Sequence, residues 1–220
     1  MNDTLKHADL VALLGTDYPV ILEVGCNDGV DTLAMAKVFP EGRIYCFEPI
    51  ESARVRWRHN LDEQRRGHVF APRITLHPIA IGAMNGLVDF YPSHGDGVLQ
   101  PTSWDYSGSI HQPKNHLKHH PWCGFGTAIK VPLMRLDSWS GMMGVSHVDF
   151  IWADVQGAEG DLIRGGMNTL ARTRYLYTEF SDAELYESQV NLKTLLAMLP
   201  GEWEIVRRYT EDVLLKNTAL

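Results

Sequence analysis

Apolar residues at Leu5, Ala8, Val11, Ala12 and Leu14, closed by Gly15, have the spacing of a helix over Asp3–Leu14. The short apolar run Pro19-Val-Ile-Leu-Glu-Val24 predicts a buried strand. A glycine turn follows over Gly25–Gly29, then a helix over Asp31–Phe39 that Pro40 ends. Arg43-Ile-Tyr-Cys-Phe-Glu48 reads as a second strand, Ile50 to about Arg66 as a helix, and Arg73–His77 as a third strand. The alternation resumes with a strand over Val148–Ala153, a helix over Ala158–Leu170, a strand over Tyr175–Phe180 and a helix over Asp182–Leu199. Trp203–Tyr209 and Asp212–Lys216 are spaced for a terminal antiparallel hairpin. Repeated strand–helix units predict an α/β fold, because parallel neighbours need crossover helices on the sheet faces.

Between the two halves the pattern breaks. Gly86–Tyr91 and Thr127–Pro132 read as extra strands, and residues 93–126, rich in Gly, Pro, Ser and His, carry no sustained period. A long irregular stretch within one domain is commonly a functional lid. We therefore expect residues 1–220 to form a single domain with an inserted loop at 93–126.

Composition narrows the classes. Hydrophobic residues are 45% and charged residues 21%, the balance of a globular chain that can bury a core. A net charge of −7 argues against a nucleic-acid partner, and the run Arg54, Arg56, Arg58, Arg65 and Arg66 reads as a solvated helix face. Met1–Leu10 carries charge where a signal core would be apolar, and no apolar run approaches the roughly 20 residues of a membrane span. Cys26, Cys46 and Cys123 are odd in number and widely spaced, so free thiols and the cytoplasm are expected, with no membrane partner.

The turn Glu23-Val-Gly-Cys-Asn-Asp-Gly29 places backbone at the carboxyl edge of the sheet, where such folds bind ligands. Gly25 suits the tight turn and Gly29 close helix–strand packing, but Asn27 stands where a dinucleotide fingerprint needs glycine against a pyrophosphate. Glu48, 25 residues after Glu23, ends the second strand and can accept both hydroxyls of an unphosphorylated ribose. Those features alone also admit another nucleotide, or none.

Together with Phe47-Glu-Pro49, Ile79-Ala-Ile-Gly82, Arg135-Leu-Asp-Ser138, Asp149-Phe-Ile-Trp-Ala-Asp-Val-Gln-Gly-Ala-Glu159 and the stretch Glu179…Glu184-Leu-Tyr-Glu-Ser-Gln189, the turn resembles the FkbM family of methyltransferases. The resemblance runs from about residue 20 to 190; many members have Lys at the place of Trp152 and Glu at that of Gln156. It implies a class I, Rossmann-like fold with a seven-stranded, mostly parallel sheet, helices on both faces and an antiparallel last strand. It also implies S-adenosylmethionine as cofactor and O-methylation of a sugar, glycan or secondary metabolite. By the same resemblance Glu48 would hold the ribose. Glu23 and the turn carrying Gly25, Asn27, Asp28 and Gly29 would hold the methionine end, with Ala80-Ile81 beside the adenine.

Methyl transfer to a neutral alcohol needs a general base, or a metal that acidifies the hydroxyl. Asp154 follows the fourth main strand and should open on the cofactor edge; it could orient the acceptor, act as base, or join Glu179 in holding Mg²⁺. Glu159 suits either the site or the start of a helix, where its charge is favourable. Five of the ten histidines, His94, His111, His116, His119 and His120, lie in the inserted loop. Each reads as solvent-exposed polar loop or as a base; His111, following Ser107-Gly-Ser109-Ile110, is the preferred base of the group. His116 and His119 have ligand spacing without a third partner. Trp104, Tyr106, Trp122 and Phe125 could stack on an acceptor or anchor the loop; with Ser107 and Ser109, Trp104 and Tyr106 form the expected acceptor contacts. The competing classes are a nucleotide-dependent oxidoreductase or epimerase, disfavoured by Asn27 and by the lack of a Tyr-x-x-x-Lys pair, and a non-catalytic cofactor-binding domain.

Overall fold

The computed structural model describes residues 4–65, 73–101 and 103–220. The chain opens with helix α1 (Asp9–Leu14), strand β1 (Val20–Val24), helix α2 (Val30–Val38), strand β2 (Arg43–Phe47), helix α3 (Glu51–Arg65) and strand β3 (Ile74–His77). Two ends expected from the sequence, Asp3 and Arg66, lie outside the described residues. Next come β4 (Ala80–Ile81), β5 (Gly86–Phe90), β6 (Ser93–Gly95), α4 (His116–His119), β7 (Cys123–Phe125), β8 (Ile129–Met134) and α5 (Leu136–Met143). The last third holds β9 (Val148–Ala153), α6 (Glu159–Gly165), α7 (Met167–Leu170), β10 (Thr173–Glu179), α8 (Leu192–Met198), β11 (Trp203–Arg208) and β12 (Asp212–Asn217).

Seven strands make the central sheet in the order β11-β12-β10-β9-β1-β2-β3. β1 pairs in parallel with both β2 and β9, and β12 runs antiparallel to both β10 and β11. The continuous apolar runs of β1 and β9 follow from helices covering both faces. Leu22 and Val24 point into one buried cluster with Trp139 and Ile151, whereas Ile21 points into another with Leu10, Met35 and Phe150. The connection leaves β1 toward β2 on one side and the chain returns through β9 on the other, so a crevice opens at their carboxyl ends.

The segment between β3 and β9 builds a second layer. β8 pairs with β4 and β5 over Ala80, Phe90, Val131 and Leu133, and β6 pairs with β7. Residues 93–126 thus begin and end in their own strand pair, which the sequence pattern did not predict.

Three expected elements differ. The helix over Ala158–Leu170 is two helices, α6 and α7, split where Gly165 passes so near Gly82 that a Cβ would lie 1.9 Å from its carbonyl oxygen. The extra strand expected over Thr127–Pro132 lies two residues further on, as β8 (Ile129–Met134). Only Leu192–Met198 of the helix over Asp182–Leu199 is helical, started by the Asn191 side chain accepting from Thr194 N–H. The preceding residues dock on the inserted segment instead, where the Leu185 carbonyl accepts N–H groups from Lys114, Asn115 and His116. Among the described residues no helix is long and apolar enough to cross a membrane.

Candidate active site

The glycine turn is built by close approach. Gly25 and Cys26 both donate N–H to the Phe47 carbonyl at the end of β2. Gly25 has φ +88, and a Cβ there would lie 1.8 Å from the Asp154 carbonyl oxygen, so only glycine lets β1 and β9 end side by side. Gly29 (φ +79) instead clears the indole of Trp57 on α3, which a Cβ would meet at 2.3 Å; its packing partner is a helix side chain, not the strand.

A cleft of about 920 Å³, partly open to solvent, lies over this turn. Gly25, Asn27, Glu48, Ala80, Ile81, Ser109, Tyr106 and Asp154, all singled out from the sequence, line it. Glu48 is buried at the end of β2, and its two carboxylate oxygens accept N–H groups from Asn27 (3.1 Å) and Ile50 (2.7 Å). Burial lifts its carboxyl to about 7, against the pull of those N–H groups. A carboxylate has lone pairs beyond those two bonds, so Glu48 can still accept ribose hydroxyls.

Three residues expected at the cofactor, Glu23, Asp28 and Gly29, do not line this cleft. Glu23 points to the opposite face of the sheet: its carboxylate accepts from Thr32 Oγ1 and lies 3.6 Å from the Cys46 thiol, and burial pushes it well above the ordinary carboxylate range. Strand alternation explains this, since Val24 faces the other cluster. Asp28 and Gly29 also leave the lining. The Asp28 carboxylate accepts from Tyr106 O–H (3.0 Å), tying the inserted segment to the turn. Asp105 makes the second tie, 2.7 Å from Arg56 Nη2 and within 3.2 Å of Asn27 Nδ2. Arg56, expected on a solvated helix face, thus bonds two residues that line the cleft.

A second cavity, about 860 Å³, adjoins the first and shares Tyr106, Asp154 and Gln156 with it. Trp104 and Trp122, edge to face at 5.0 Å, line one side with His116 and His120; Glu179, Glu211 and Tyr186 line the other. Ser107 also lines this cavity, and its carbonyl accepts from Tyr186 O–H at 2.8 Å. Ser109 faces the first cleft and donates to the Gln156 carbonyl at 2.7 Å. Burial lowers the His116 imidazole to about 4, with help from His120 and His119, so it is neutral at neutral pH.

His111 is not the base expected of it. Its Nε2 lies 2.6 Å from the Asp161 carboxylate on α6, and the residue lines neither cavity, so it fastens the inserted segment down. Asp154 and Glu179 do come together. Gln156 Nε2 donates to Asp154 Oδ1 (2.6 Å) and to Glu179 Oε2 (2.9 Å), and its Oε1 accepts from Tyr186 O–H (3.1 Å). Burial raises Asp154 to about 6 and Glu179 well above the usual range, the latter also through Asp154 and Glu159. Glu159 is buried beneath them, accepts Gly157 N–H and lines neither cavity; burial lifts it to about 7. Gln156 and Tyr186 were not singled out as site residues, although both fall within the sequence stretches that carry the family resemblance.

The Asp154–Glu179 pair does not fit the Mg²⁺ expected as a possibility. The amide N–H groups of Gln156 already fill the space between the two carboxylates, and a hydrogen-bond donor cannot coordinate a cation. Among the described residues no group of three or more His, Cys, Asp or Glu is placed to hold a metal.

A seven-stranded sheet with a reversed β12, a glycine turn after β1 and an acid ending β2 define a Rossmann-like methyltransferase fold of the S-adenosylmethionine-dependent class. A family model described as the Methyltransferase FkbM domain matches residues 23–211, and the chain belongs to that family. It is 44% identical to the 2-O-methyltransferase NoeI of Sinorhizobium fredii, over 97% of this chain and 86% of that protein. Methyltransferase 1 of Beauveria bassiana is 26% identical over 68% of this chain and 59% of its own length. Among solved structures, a methyltransferase FkbM from Methylobacillus flagellatus superposes with a TM-score of 0.56 at 15% identity, over 91% of this chain and 44% of that one. The chain is thus an enzyme that transfers methyl groups.

Proposed function

We propose that the enzyme methylates a neutral hydroxyl of a sugar, glycan or secondary metabolite, using S-adenosylmethionine. The observation that carries this reading is the meeting of the two cavities at Asp154, among the described residues the one carboxylate lining both. The bound sulfonium supplies an already activated methyl group, so positioning the acceptor provides much of the rate. Glu48, Ala80 and Ile81 would hold the adenosine, and the Gly25 turn gives the methionine end access to the edge of β1. Asp154 would take the hydroxyl proton of an acceptor aligned with the methyl group that the cofactor would supply. A carboxylate raised to about 6 is ionised at neutral pH and is a stronger base than an ordinary one.

The name of the Sinorhizobium relative supports oxygen as the acceptor atom. Charge supports a neutral acceptor: Asp154, Glu179 and Glu211 line the second cavity, and among the described residues no Lys or Arg does. The facing Trp104 and Trp122 rings suit the apolar face of a sugar. We read residues 1–220 as one methyltransferase domain whose 93–126 insert selects the acceptor, and three free cysteines fit a reducing, cytoplasmic setting. Calorimetry with S-adenosylmethionine, followed by a mass-spectrometric screen of neutral, phosphorylated and uronic glycosides, tests the reading. Methylated neutral glycosides are expected. No cofactor binding, or a preference for the anionic acceptors, would sink it.

A further inference from the structure

Gln156 is held by more constraints than a lining residue needs. Its backbone sits at φ +50, a left-handed conformation that is unfavourable for a residue with a Cβ. Gly157 follows at φ +91, packed so tightly on the Tyr186 ring that a Cβ would meet it at 2.8 Å. The Gln156 carbonyl accepts from Ser109 of the inserted segment, and its side-chain oxygen shares the single Tyr186 O–H proton with the nearer Ser107 carbonyl. With oxygen so engaged, the amide orientation is fixed by chemistry: reversing it would aim an oxygen at two carboxylates. Both N–H groups are then committed, one to Asp154 and one to Glu179.

We propose that Gln156 is the positioning residue of this active site, its carboxamide standing where a bridging divalent cation would otherwise hold Asp154 and Glu179 together. A cation between two carboxylates does two things, offsetting their repulsion and fixing their planes. The amide does both with two fixed donors. Asp154 Oδ1 is thereby engaged, and among the described residues no hydrogen bond to Oδ2 is found, which leaves that oxygen for the acceptor hydroxyl. The bridge also reaches the inserted segment through Tyr186 and Ser109, so acid geometry and lid position are set by one residue. The inference rests on Asp154 acting as the base.

The test uses the whole chain with Mn²⁺ as probe, read by electron paramagnetic resonance, beside pH profiles of kcat. Wild type should bind no Mn²⁺ at millimolar concentration and keep its turnover in EDTA. Gln156→Glu, nearly the same shape, adds a third carboxylate in place of the donors. It should take up one Mn²⁺ per chain, and its turnover should become dependent on the added cation. Gln156→Leu should lower kcat about 100-fold, move the acid limb of the profile to higher pH, and change S-adenosylmethionine affinity far less. Mn²⁺ uptake by wild type, indifference of Gln156→Glu to Mn²⁺, or a wild-type kcat and acid limb in Gln156→Leu would each overturn the proposal. Should Gln156→Leu fail to fold, the first two measurements still decide. The Mn²⁺ titration needs no acceptor, so a failure of the proposed methyl transfer is told apart from a failure of the bridge.

Discussion

At the scale of single residues, the chemistry depends on which side of a strand a carboxylate faces. Glu23 lies within β1 and Asp154 directly follows β9, yet Glu23 is turned under the sheet toward Thr32 and Asp154 opens on both cavities. Asp154→Asn keeps the shape and the acceptor for Gln156 but cannot take a proton. We expect kcat to fall by about 10²–10⁴-fold, with S-adenosylmethionine affinity little altered by calorimetry. In wild type, kcat should rise with pH through about 6 as Asp154 loses its proton; a flat profile from pH 5 to 7 would remove it as base. Glu48→Gln replaces one oxygen by a donor and unmatches either Asn27 N–H or Ile50 N–H. The cofactor dissociation constant should rise by about 10–100-fold, the equivalent of a charged hydrogen bond of about 1.5–3 kcal/mol. Glu48 and Asp154 were legible in the sequence because each sits next to a strand end, which fixes its place in the fold. His111 was misjudged because its partner, Asp161, is 50 residues away, and no local spacing reveals such a pairing.

Elements were legible wherever an apolar run stood on its own. β1, β2 and β9 fall within a residue of the positions their hydrophobic pattern predicts, because burial on both faces leaves no ambiguity of register. The expected helix over Asp182–Leu199 fails for the opposite reason. Its apolar residues Leu185 and Tyr186 face the second cavity, and the Leu185 backbone pairs with the inserted segment, so tertiary contacts override the periodicity. The inserted segment itself gave no period, yet it is anchored at several points, of which Asp105 on Arg56 and Asn27 is the most polar. Asp105→Ala should release this tie. Amides of residues 103–110 should then exchange faster with deuterium, and S-adenosylmethionine should dissociate roughly 10-fold faster, as expected for a lost charged hydrogen bond. Unchanged exchange would show that the other anchors suffice.

For the molecule as a whole, stability and turnover should respond to pH in opposite directions. Burial raises Glu23, Glu48, Asp154, Glu159 and Glu179 above their unfolded values, so the folded state binds more protons than the unfolded one as these groups titrate. Stability then falls as pH rises. His77 and His116, lowered by burial, oppose this only below about 6.5, where an unfolded histidine begins to take up its proton. Between pH 6.5 and 8 the ligand-free protein should therefore lose melting temperature, on the order of 5 °C for the 1–2 kcal/mol involved. A melting temperature that rises across that range would contradict the assigned burial of these acids.

The span from Trp104 to Ser109 roofs both cavities, tied to the turn through Tyr106 and to the far wall through Tyr186. Because that span belongs to the walls of both cavities, a substitution made there to alter the choice of acceptor should also alter cofactor affinity.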